Sequence, residues 1–328
     1  MKIMKMSSTS AIALCLGFIL MSFTGHSYGQ LQVGFYRGKC LVDVEAIVTQ
    51  VVAAKFNEDP TIAPALIRMQ FHDCFVKGCD ASILLDGNNT EKTAPPNLSV
   101  RGFEVIDAAK AAVEAVCPGV VSCADIISMA TRDVFALINE GCRYDVQTGR
   151  RDGLVSLAQN VDLPSPRISV NDSIAAFARK GLSATDMVYL LGGHTVGVAH
   201  CSLFQDRLYN FQNTGKPDPT MNPWLASQLR PICPQNSASS NTVNLDQSSQ
   251  SSFISKSYYW QILMRRGILQ IDQELALDPL TRSTVQGIAL FSDFRSKFAQ
   301  AMVKLGAVEV LTGTQGEIRQ SCRAINTN

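Results

Sequence analysis

The stretch Arg68-Met-Gln-Phe-His-Asp-Cys-Phe-Val-Lys-Gly-Cys-Asp-Ala-Ser82 decides how the rest of the chain is interpreted. Its first half keeps a helical pattern, so Arg68, Phe71 and His72 share one face at i, i+3 and i+4. A permanent cation and a titratable base therefore stand one turn apart, beside an aromatic ring. The second half loses the helical pattern and offers closely spaced oxygen atoms. It predicts a loop that binds a hard cation such as Ca²⁺.

Length and composition exclude several classes of protein. The chain has 328 residues, 46% of them hydrophobic, and a formal net charge of +1. A chain of this length can bury a large core. The near-neutral balance, without a run of Lys or Arg, does not support nucleic-acid binding. No Gly-rich nucleotide loop precedes a helix, so a nucleotide cofactor is not expected either.

Residues 1–29 have the pattern of a secretory signal peptide. Lys2 and Lys5 precede the short apolar run 11–23, and small residues precede a cleavage site before Gln30. No later segment reaches the ~20 apolar residues that a membrane span needs. Of the ten cysteines, Cys15 would leave with the signal, so an odd number would enter an oxidising compartment. Zinc binding is disfavoured because no C-x-x-C pair occurs.

The hydrophobic periodicity predicts a mostly helical protein. Helical periods cover about 41–57, 103–116 and 122–138, and Ser183-Ala-Thr-Asp186 has the pattern of a capping box for a helix ending at Gly192-Gly193. A long late helix is predicted to carry an aromatic face, formed by Phe291, Phe294, Phe298, Met302 and Leu305. Strand signals are few, with one at 144–148. Segments 161–166 and 234–252 are predicted to be loops.

Two histidines stand in frames that suggest chemistry. His72 follows Arg-x-x-Phe, and His194 lies in Leu190-Leu-Gly-Gly-His-Thr195, where the glycines allow backbone or a ligand to come close. The frames are about 120 residues apart. They could face each other across a flat cofactor. His200 is interpreted as structural.

The chain resembles the secretory plant (class III) haem peroxidases over essentially all of its mature length. The resemblance rests on separated motifs that agree in order and spacing: Gln30-Leu31, Phe35-Tyr36, Arg68–Ser82, Arg101-Gly-Phe, Val121-Ser-Cys-Ala-Asp125, Thr148-Gly-Arg-Arg-Asp152, Gly192-Gly-His-Thr195, Asp206-Arg-Leu-Tyr-Asn210, Ser257-Tyr-Tyr, Asp272-Gln-Glu-Leu, Leu311-Thr-Gly and Cys322-Arg. It implies an all-α haem peroxidase domain, 30–328, with few short strands. Two helical lobes, about 30–165 and 166–310, would enclose the haem, and 311–328 would return to the first lobe.

The resemblance implies roles for the histidines and their neighbours. His194 would be the axial ligand of one non-covalent haem b, and Asp272 would accept a hydrogen bond from its other ring nitrogen. His72 would be the acid and base for H₂O₂, with its tautomer fixed by Asn97. Arg68 would stabilise charge on the departing oxygen, Phe71 would wall the pocket, and Pro164 would border the edge where phenols donate electrons.

The resemblance also implies two calcium sites. The distal ligands would be the side chains of Asp73, Asp80 and Ser82 and the carbonyls of Val76 and Gly78. Thr195, Asp246 and Ser249 match the proximal site. The family usually continues there with an Asp-Asn pair, where this chain has Ser255-Lys256. This change replaces a carboxylate and adds a cation, which weakens Ca²⁺ binding. Either another oxygen completes the proximal site, or the site is weak or empty.

The cysteines follow from the same resemblance, which implies the pairs Cys40–Cys117, Cys74–Cys79, Cys123–Cys322 and Cys201–Cys233 and leaves Cys142 free. Sequons occur at Asn88, Asn97 and Asn171. Asn88, in a polar loop, is the best glycan candidate. A glycan at Asn97 is not expected, because the side chain is assigned to His72.

The function that these features imply is reduction of H₂O₂ with one-electron oxidation of small phenolic donors, by a secreted monomer of the apoplast or cell wall rather than the vacuole. A cytochrome with both histidines on iron is the main alternative, and Arg68 beside His72 argues against it. A haem-free, calcium-stabilised wall protein is a second alternative. A zinc hydrolase built on His72-Asp73 lacks a third ligand.

Overall fold

Helices make up most of the chain that the computed structural model describes, which comprises residues 31–235, 240–248 and 252–327. The predicted signal peptide and the mature start at Gln30 lie outside these residues. Within them the α-helices are α1 (Val44–Glu58), α2 (Ile62–Lys77), α3 (Phe103–Glu114), α4 (Cys123–Leu137), α5 (Val170–Arg179), α6 (Ala184–Leu191), α7 (Gln205–Tyr209), α8 (Pro223–Ile232), α9 (Ser257–Leu263), α10 (Gln270–Leu277), α11 (Arg282–Phe291) and α12 (Phe294–Leu305).

Helix α4 is the centre of the first group of helices. Nearly all of its residues are buried, and it packs against α1, α2 and α3. Its first turn is closed by Ser122, whose hydroxyl accepts the N–H of Asp125 at 3.1 Å. The predicted helical periods at 41–57, 103–116 and 122–138 are confirmed as α1, α3 and α4. Helix α2, which carries Arg68 and His72, is thereby held on a rigid partner.

A second group of helices surrounds α6 and α9. Helix α6 packs on α12, and α9 packs on α10 and α11. The predicted capping box is present, with Ser183 and Asp186 each satisfying the other's backbone N–H. The helix stops at Gly192, where any side chain would collide with the Tyr259 hydroxyl and the Phe294 ring. A tight 3₁₀ turn, Gly192–Thr195, follows and presents His194.

Strands are short and lie in two antiparallel pairs. β1 (Gln32–Val33) pairs with β2 (Gln147–Thr148), so the strand predicted at 144–148 is present only at its end. β3 (Val198–His200) pairs with β4 (Thr242–Asn244), which lies within the predicted loop 234–252. The second pair matters for the site, because it brings the residues after β4 beside the turn that carries His194.

The prediction of one long aromatic helix late in the chain is wrong in one respect. Phe291 ends α11 and is 86% exposed, whereas Phe294, Phe298, Met302 and Leu305 are buried on α12. Helix α11 ends at Phe291, and Ser292 is extended. Asp293 then caps the start of α12 through its carboxylate. A helical period can continue across such a break, because a capped restart of similar phase preserves the spacing.

The described chain contains four disulfides, three of which join distant segments and one of which closes the short loop after α2. They are Cys40–Cys117, Cys74–Cys79, Cys123–Cys322 and Cys201–Cys233, and Cys142 is free and exposed. The Cys123–Cys322 bond ties the C-terminal segment to the start of α4. There the buried Arg319 donates to the carbonyls of Ala81 and Gly153 at 2.8 and 2.7 Å. The C-terminal segment thus braces the loop that follows α2.

We expect the double substitution Cys123→Ala/Cys322→Ala to lower the free energy of unfolding by ~2–5 kcal/mol, because the bond closes a loop of 199 residues in the unfolded chain. Urea-induced unfolding followed by far-UV circular dichroism measures the change. The matched control is Cys142→Ser, which removes an exposed thiol and should change stability by less than ~0.5 kcal/mol. Equal effects of the two variants would contradict the prediction.

Candidate active site

Arg68, His72 and Asn97 form one hydrogen-bonded group on the face of α2. The Nδ1–H of His72 donates to Asn97 Oδ1 at 2.6 Å, which makes Nε2 the nitrogen with the free electron pair. Arg68 Nε donates to that Nε2 at 3.1 Å. Asn97 is fixed in turn, because its Nδ2 donates to the Glu91 carbonyl at 2.8 Å. The sequence placed Arg68 and His72 together, and the fold adds Asn97 from 25 residues away.

The environment keeps His72 neutral. Burial, and then the positive charge of Arg68, lower the pKa of His72 to about 3, and the bond to Asn97 opposes them only partly. A histidine with this pKa is an unprotonated base at any physiological pH. Arg68 is anchored independently by bonds to Ser99 Oγ at 3.1 Å and to the Pro96 carbonyl at 2.8 Å.

Phe71 lies beside His72, with the two ring centroids 6.2 Å apart. It is partly buried and stacks on Phe75 at 4.8 Å, and both rings pack on Phe177 of α5. Phe71 is therefore part of an aromatic group beside His72, and its role as a wall of the pocket stays a prediction.

His194 has a different partner from His72. Its Nδ1 is 2.8 Å from Asp272 Oδ1, and Tyr258 donates its hydroxyl to the same oxygen at 2.9 Å. Burial alone would lower the pKa of His194, but the charge of Asp272 and the hydrogen bond outweigh it, so the pKa is raised. With Nδ1 engaged, Nε2 is the nitrogen available to a ligand. The Asp272 side chain is 1% exposed and that of His194 is 29% exposed.

The turn that carries His194 approaches helix α2 next to Arg68. A Cβ built on Gly193 would lie 3.9 Å from Ile67, so the neighbours of His194 and Arg68 are in contact range. The charge of Arg68 also acts on His194, where it lowers the pKa against the effect of Asp272. Arg68 on α2 therefore lies close enough to the 3₁₀ turn for its charge to act on His194.

The loop after α2 gathers oxygen atoms, as the sequence predicts. It turns at Gly78, where φ is +96° and any side chain would collide with the Glu309 carbonyl. Asp73 Oδ2 accepts the N–H of Ala81 at 3.0 Å, and Asp80 Oδ1 accepts that of Ser82 at 3.0 Å. Asp73 Oδ1 and Ser82 Oγ are buried without a hydrogen-bond partner. Oxygens left in this state are what a bound Ca²⁺ would satisfy.

Glu91 is a residue that sequence reasoning missed. Both of its carboxylate oxygens are buried without a hydrogen-bond partner, and burial raises the pKa of Glu91 to about 7. Burial, with repulsion from Asp80 and Glu91, raises the pKa of Asp73 well above its usual range. The backbone carbonyl of Glu91 also holds Asn97. No periodicity marks Glu91, since it lies in a polar 3₁₀ turn of three residues, Glu91–Thr93. The signal available was its position six residues before Asn97.

The described residues contain no group of three or more His, Cys, Asp and Glu side chains arranged for a metal, so any ion in the loop would depend on hydroxyl and carbonyl oxygens as well. The carbonyl of Val76 accepts from Lys180 Nζ at 3.0 Å. Thr195 and Asp246 are fully buried, and Ser249 lies outside the described residues. Pro164 is half-buried in the segment before α5.

Comparison with known proteins identifies the class. The family model described as "Peroxidase" matches residues 48–290. Curated relatives include "Peroxidase 60" of Arabidopsis thaliana, 54% identical with 96% of each chain covered, and "Peroxidase 57" of the same plant, 52% identical over 92% of this chain and 94% of the relative. "Peroxidase N1" of Nicotiana tabacum is 47% identical, with 90% of each chain covered. The chain belongs to the peroxidase family, and among its members to the class III plant haem peroxidases.

Family membership implies a haem and an activity that consumes H₂O₂. The residues present fit that group, because His194 keeps Nε2 available while Asp272 makes it a strong donor to iron. His72, in contrast, is held at both ring nitrogens by Asn97 and Arg68. The two histidines therefore differ in whether Nε2 is free and in the charge of the group behind them.

We expect Tyr258→Phe and Asp272→Asn to shift the ferric/ferrous potential of the haem-loaded protein in opposite directions. Without the tyrosine hydroxyl, Asp272 Oδ1 accepts only from His194, so the imidazole becomes more electron-rich and the potential falls. In Asp272→Asn the carboxylate charge is lost, so the potential rises, and this rise should be larger than the fall in Tyr258→Phe. Spectroelectrochemical titration measures both. Shifts of the same sign would contradict this account of the Asp272 oxygen.

Proposed function

We propose that this class III peroxidase activates H₂O₂ with His72 and Arg68 and oxidises small phenolic donors in one-electron steps. The observation that carries the proposal is the neutral His72, whose Nδ1–H is fixed on Asn97 while Nε2 faces Arg68. Haem bound to His194 would supply the redox chemistry, taking electrons from donors one at a time and passing them to peroxide.

His72 would move the protons. For Nε2 to accept a proton from H₂O₂, the Arg68 Nε–H must give way to the O–H of the peroxide. The guanidinium keeps its bonds to Ser99 and Pro96 and stays in place to stabilise the oxygen that becomes anionic. His72 can then return the proton to that oxygen as it leaves as water. The bond to Asn97 holds the ring in one orientation throughout.

Asp272 would set the character of His194. Because Nδ1–H donates to a buried carboxylate, the ring carries partial negative charge and stabilises iron in higher oxidation states. The competing bis-histidine cytochrome would need Nε2 of His72 for iron, and that nitrogen accepts a bond from a cation instead. The geometry therefore favours a peroxidase over an electron carrier.

The donor would approach along the segment that contains Pro164. That segment is fastened to α10, since the Ile271 N–H donates to the Pro166 carbonyl at 3.1 Å, one residue from Asp272. The half-buried Pro164 offers an apolar edge of the kind that phenols contact. Which phenol is used depends on side chains of this edge.

Secretion to the apoplast or cell wall is part of the proposal. Four disulfides require an oxidising compartment, and among the described helices none has the length and apolarity to cross a bilayer. Asn88 and Asn171 are exposed and accessible for glycans, whereas Asn97 is 2% exposed and bonded to His72. The monomeric state and the division into two lobes stay predictions.

We expect His72→Leu to slow the reaction with H₂O₂ by ~10²–10⁴-fold, as loss of a general acid–base does, and Arg68→Leu by ~10²–10³-fold. Stopped-flow absorption of the haem-loaded protein measures the rate. His200→Gln is the matched control, because it removes the third histidine of the mature chain and leaves the site intact. A wild-type rate in His72→Leu would exclude His72 as the base.

The same experiment run against pH tests the charge argument. Because the pKa of His72 is lowered to about 3, the wild-type rate should stay constant down to roughly pH 4 and fall only below it. Arg68 is one of the causes of that low pKa, so in Arg68→Leu the pKa rises and the rate falls at higher pH. The argument would be contradicted if the rate of Arg68→Leu began to fall at a lower pH than the rate of the wild type.

A calcium ion in the loop after α2 is also proposed, held by side-chain oxygens of Asp73, Asp80 and Ser82 and by the carbonyls of Val76 and Gly78. The ion would relieve the repulsion among the buried carboxylates there. Asp73 adjoins His72, so the ion would also support the base.

We expect removal of this calcium with EDTA to slow the reaction with H₂O₂ and to lower Tm, with both restored by added Ca²⁺. The physical reason is that uncompensated carboxylates loosen the loop beside His72 and the Glu91 carbonyl that fixes Asn97. Elemental analysis must show that the treated protein is calcium-free. Full activity in that protein would argue against the support role.

A further inference from the structure

The oxygens of the expected second calcium site that the structure describes, those of Thr195 and Asp246, are occupied by hydrogen bonds within the protein. Asp246 is fully buried, and both of its carboxylate oxygens have donors. Oδ1 accepts the N–H of Ser248 at 2.7 Å, and Oδ2 accepts the hydroxyl of Ser257. A carboxylate in this state is satisfied without a metal ion.

Neighbouring hydroxyls continue the same network. Since the Ser257 proton goes to Asp246, its oxygen accepts from the Ser255 hydroxyl at 2.7 Å. The Thr195 hydroxyl lies 2.6 Å from the Gly192 carbonyl and 3.0 Å from the Ser255 carbonyl, between which it shares its single proton. The network thus runs from Asp246 through two serines to Thr195, the residue after His194.

The contrast with the loop after α2 is internal to this protein. There some oxygens also accept hydrogen bonds, among them Asp73 Oδ2, Asp80 Oδ1 and the Val76 carbonyl. Asp73 Oδ1 and Ser82 Oγ, however, are buried with no partner, in a setting crowded with carboxylates. Beside His194 neither Thr195 nor Asp246 leaves such an atom. The described oxygens there also include a single carboxylate, and Lys256 follows Ser255 in the chain. Ca²⁺ takes 6–8 oxygens and favours sites with several carboxylates.

Backbone pairing explains how the network forms without an ion. β3 and β4 align Val198 with Asn244, and the N–H of Leu245 donates to the Gly197 carbonyl at 3.1 Å. This pairing sets Asp246 beside the turn of His194, while Ser257 is delivered by the first residue of α9. Two segments that a cation could have joined are therefore joined by hydroxyl groups.

We propose that this chain holds one structural calcium ion, in the loop after α2, and that the Asp246–Ser257–Ser255–Thr195 hydroxyl network replaces a second ion beside His194. The proposal rests on the calcium assigned under the proposed function. It departs from the two ions that the family resemblance implies. The network acts as a positioning device for His194, through Thr195.

The test counts calcium per chain in the haem-loaded protein. Protein equilibrated with Ca²⁺ and freed of unbound ions is analysed by inductively coupled plasma mass spectrometry. We expect one ion in the wild type and in Ser257→Ala, and none in Asp80→Asn. Ser82→Ala, a milder change to the same loop, should bind calcium more weakly than the wild type. It keeps the assignment testable should Asp80→Asn fold poorly.

Ser257→Ala gives a second readout. Loss of the hydroxyl should lower Tm by roughly 2–4 °C, by an amount that does not change between 0.1 and 10 mM Ca²⁺ once the first site is full. The iron–histidine stretching band of the ferrous protein should shift, because Thr195 and His194 are loosened together.

The proposal would be overturned if the wild type held two calcium ions or none. It would also be overturned if Asp80→Asn kept one ion. A Tm loss in Ser257→Ala that Ca²⁺ restores would overturn it as well. Peroxide turnover is measured on the same preparations. An active enzyme with two ions would refute the hydroxyl network alone, whereas an inactive haem-loaded protein with one ion would refute the proposed function alone.

Discussion

The different groups behind the two histidines are the constraint on which the rest of the site depends. A neutral amide, Asn97, holds Nδ1 of His72, and a carboxylate, Asp272, holds Nδ1 of His194. The amide fixes a tautomer and adds no charge, so His72 stays a neutral base. The carboxylate adds charge, so His194 becomes a strong ligand. Exchanging the two partners would leave a base that protonates easily and a ligand that binds metal weakly.

The fold exists in large part to hold these partners still. Asn97 is fixed by the Glu91 carbonyl, and Asp272 by the rigid packing of α10 on α9. The loop between His72 and Asn97 is braced from the far end of the chain, where Arg319 reaches the Ala81 carbonyl and Cys322 is bonded to Cys123. His194 is braced by the strand pair and the hydroxyl network of Asp246. Each histidine is therefore held by segments that are remote in sequence.

The sequence predicts contacts between residues that are close along the chain, and it does not by itself predict contacts between distant ones. Arg68 and His72 are one helical turn apart, so periodicity alone places them together, and the capping box at Ser183 is equally local. Asn97 and Asp272 come from 25 and 78 residues away, and only the family resemblance suggested them. Phe291 was placed wrongly because a capped break preserves the helical phase. Glu91, Tyr258 and Ser257 were not assigned roles, since what they do depends on which oxygen they meet in the folded chain.

The spin state of the iron in the resting, haem-loaded protein tests the central claim most directly. If His194 binds iron and Asn97 and Arg68 keep His72 away from it, electron paramagnetic resonance of the ferric protein at neutral pH should show a high-spin signal, and added H₂O₂ should change the absorption spectrum at once. A low-spin signal of two axial histidines, with no response to H₂O₂, would contradict the claim and make the protein an electron carrier.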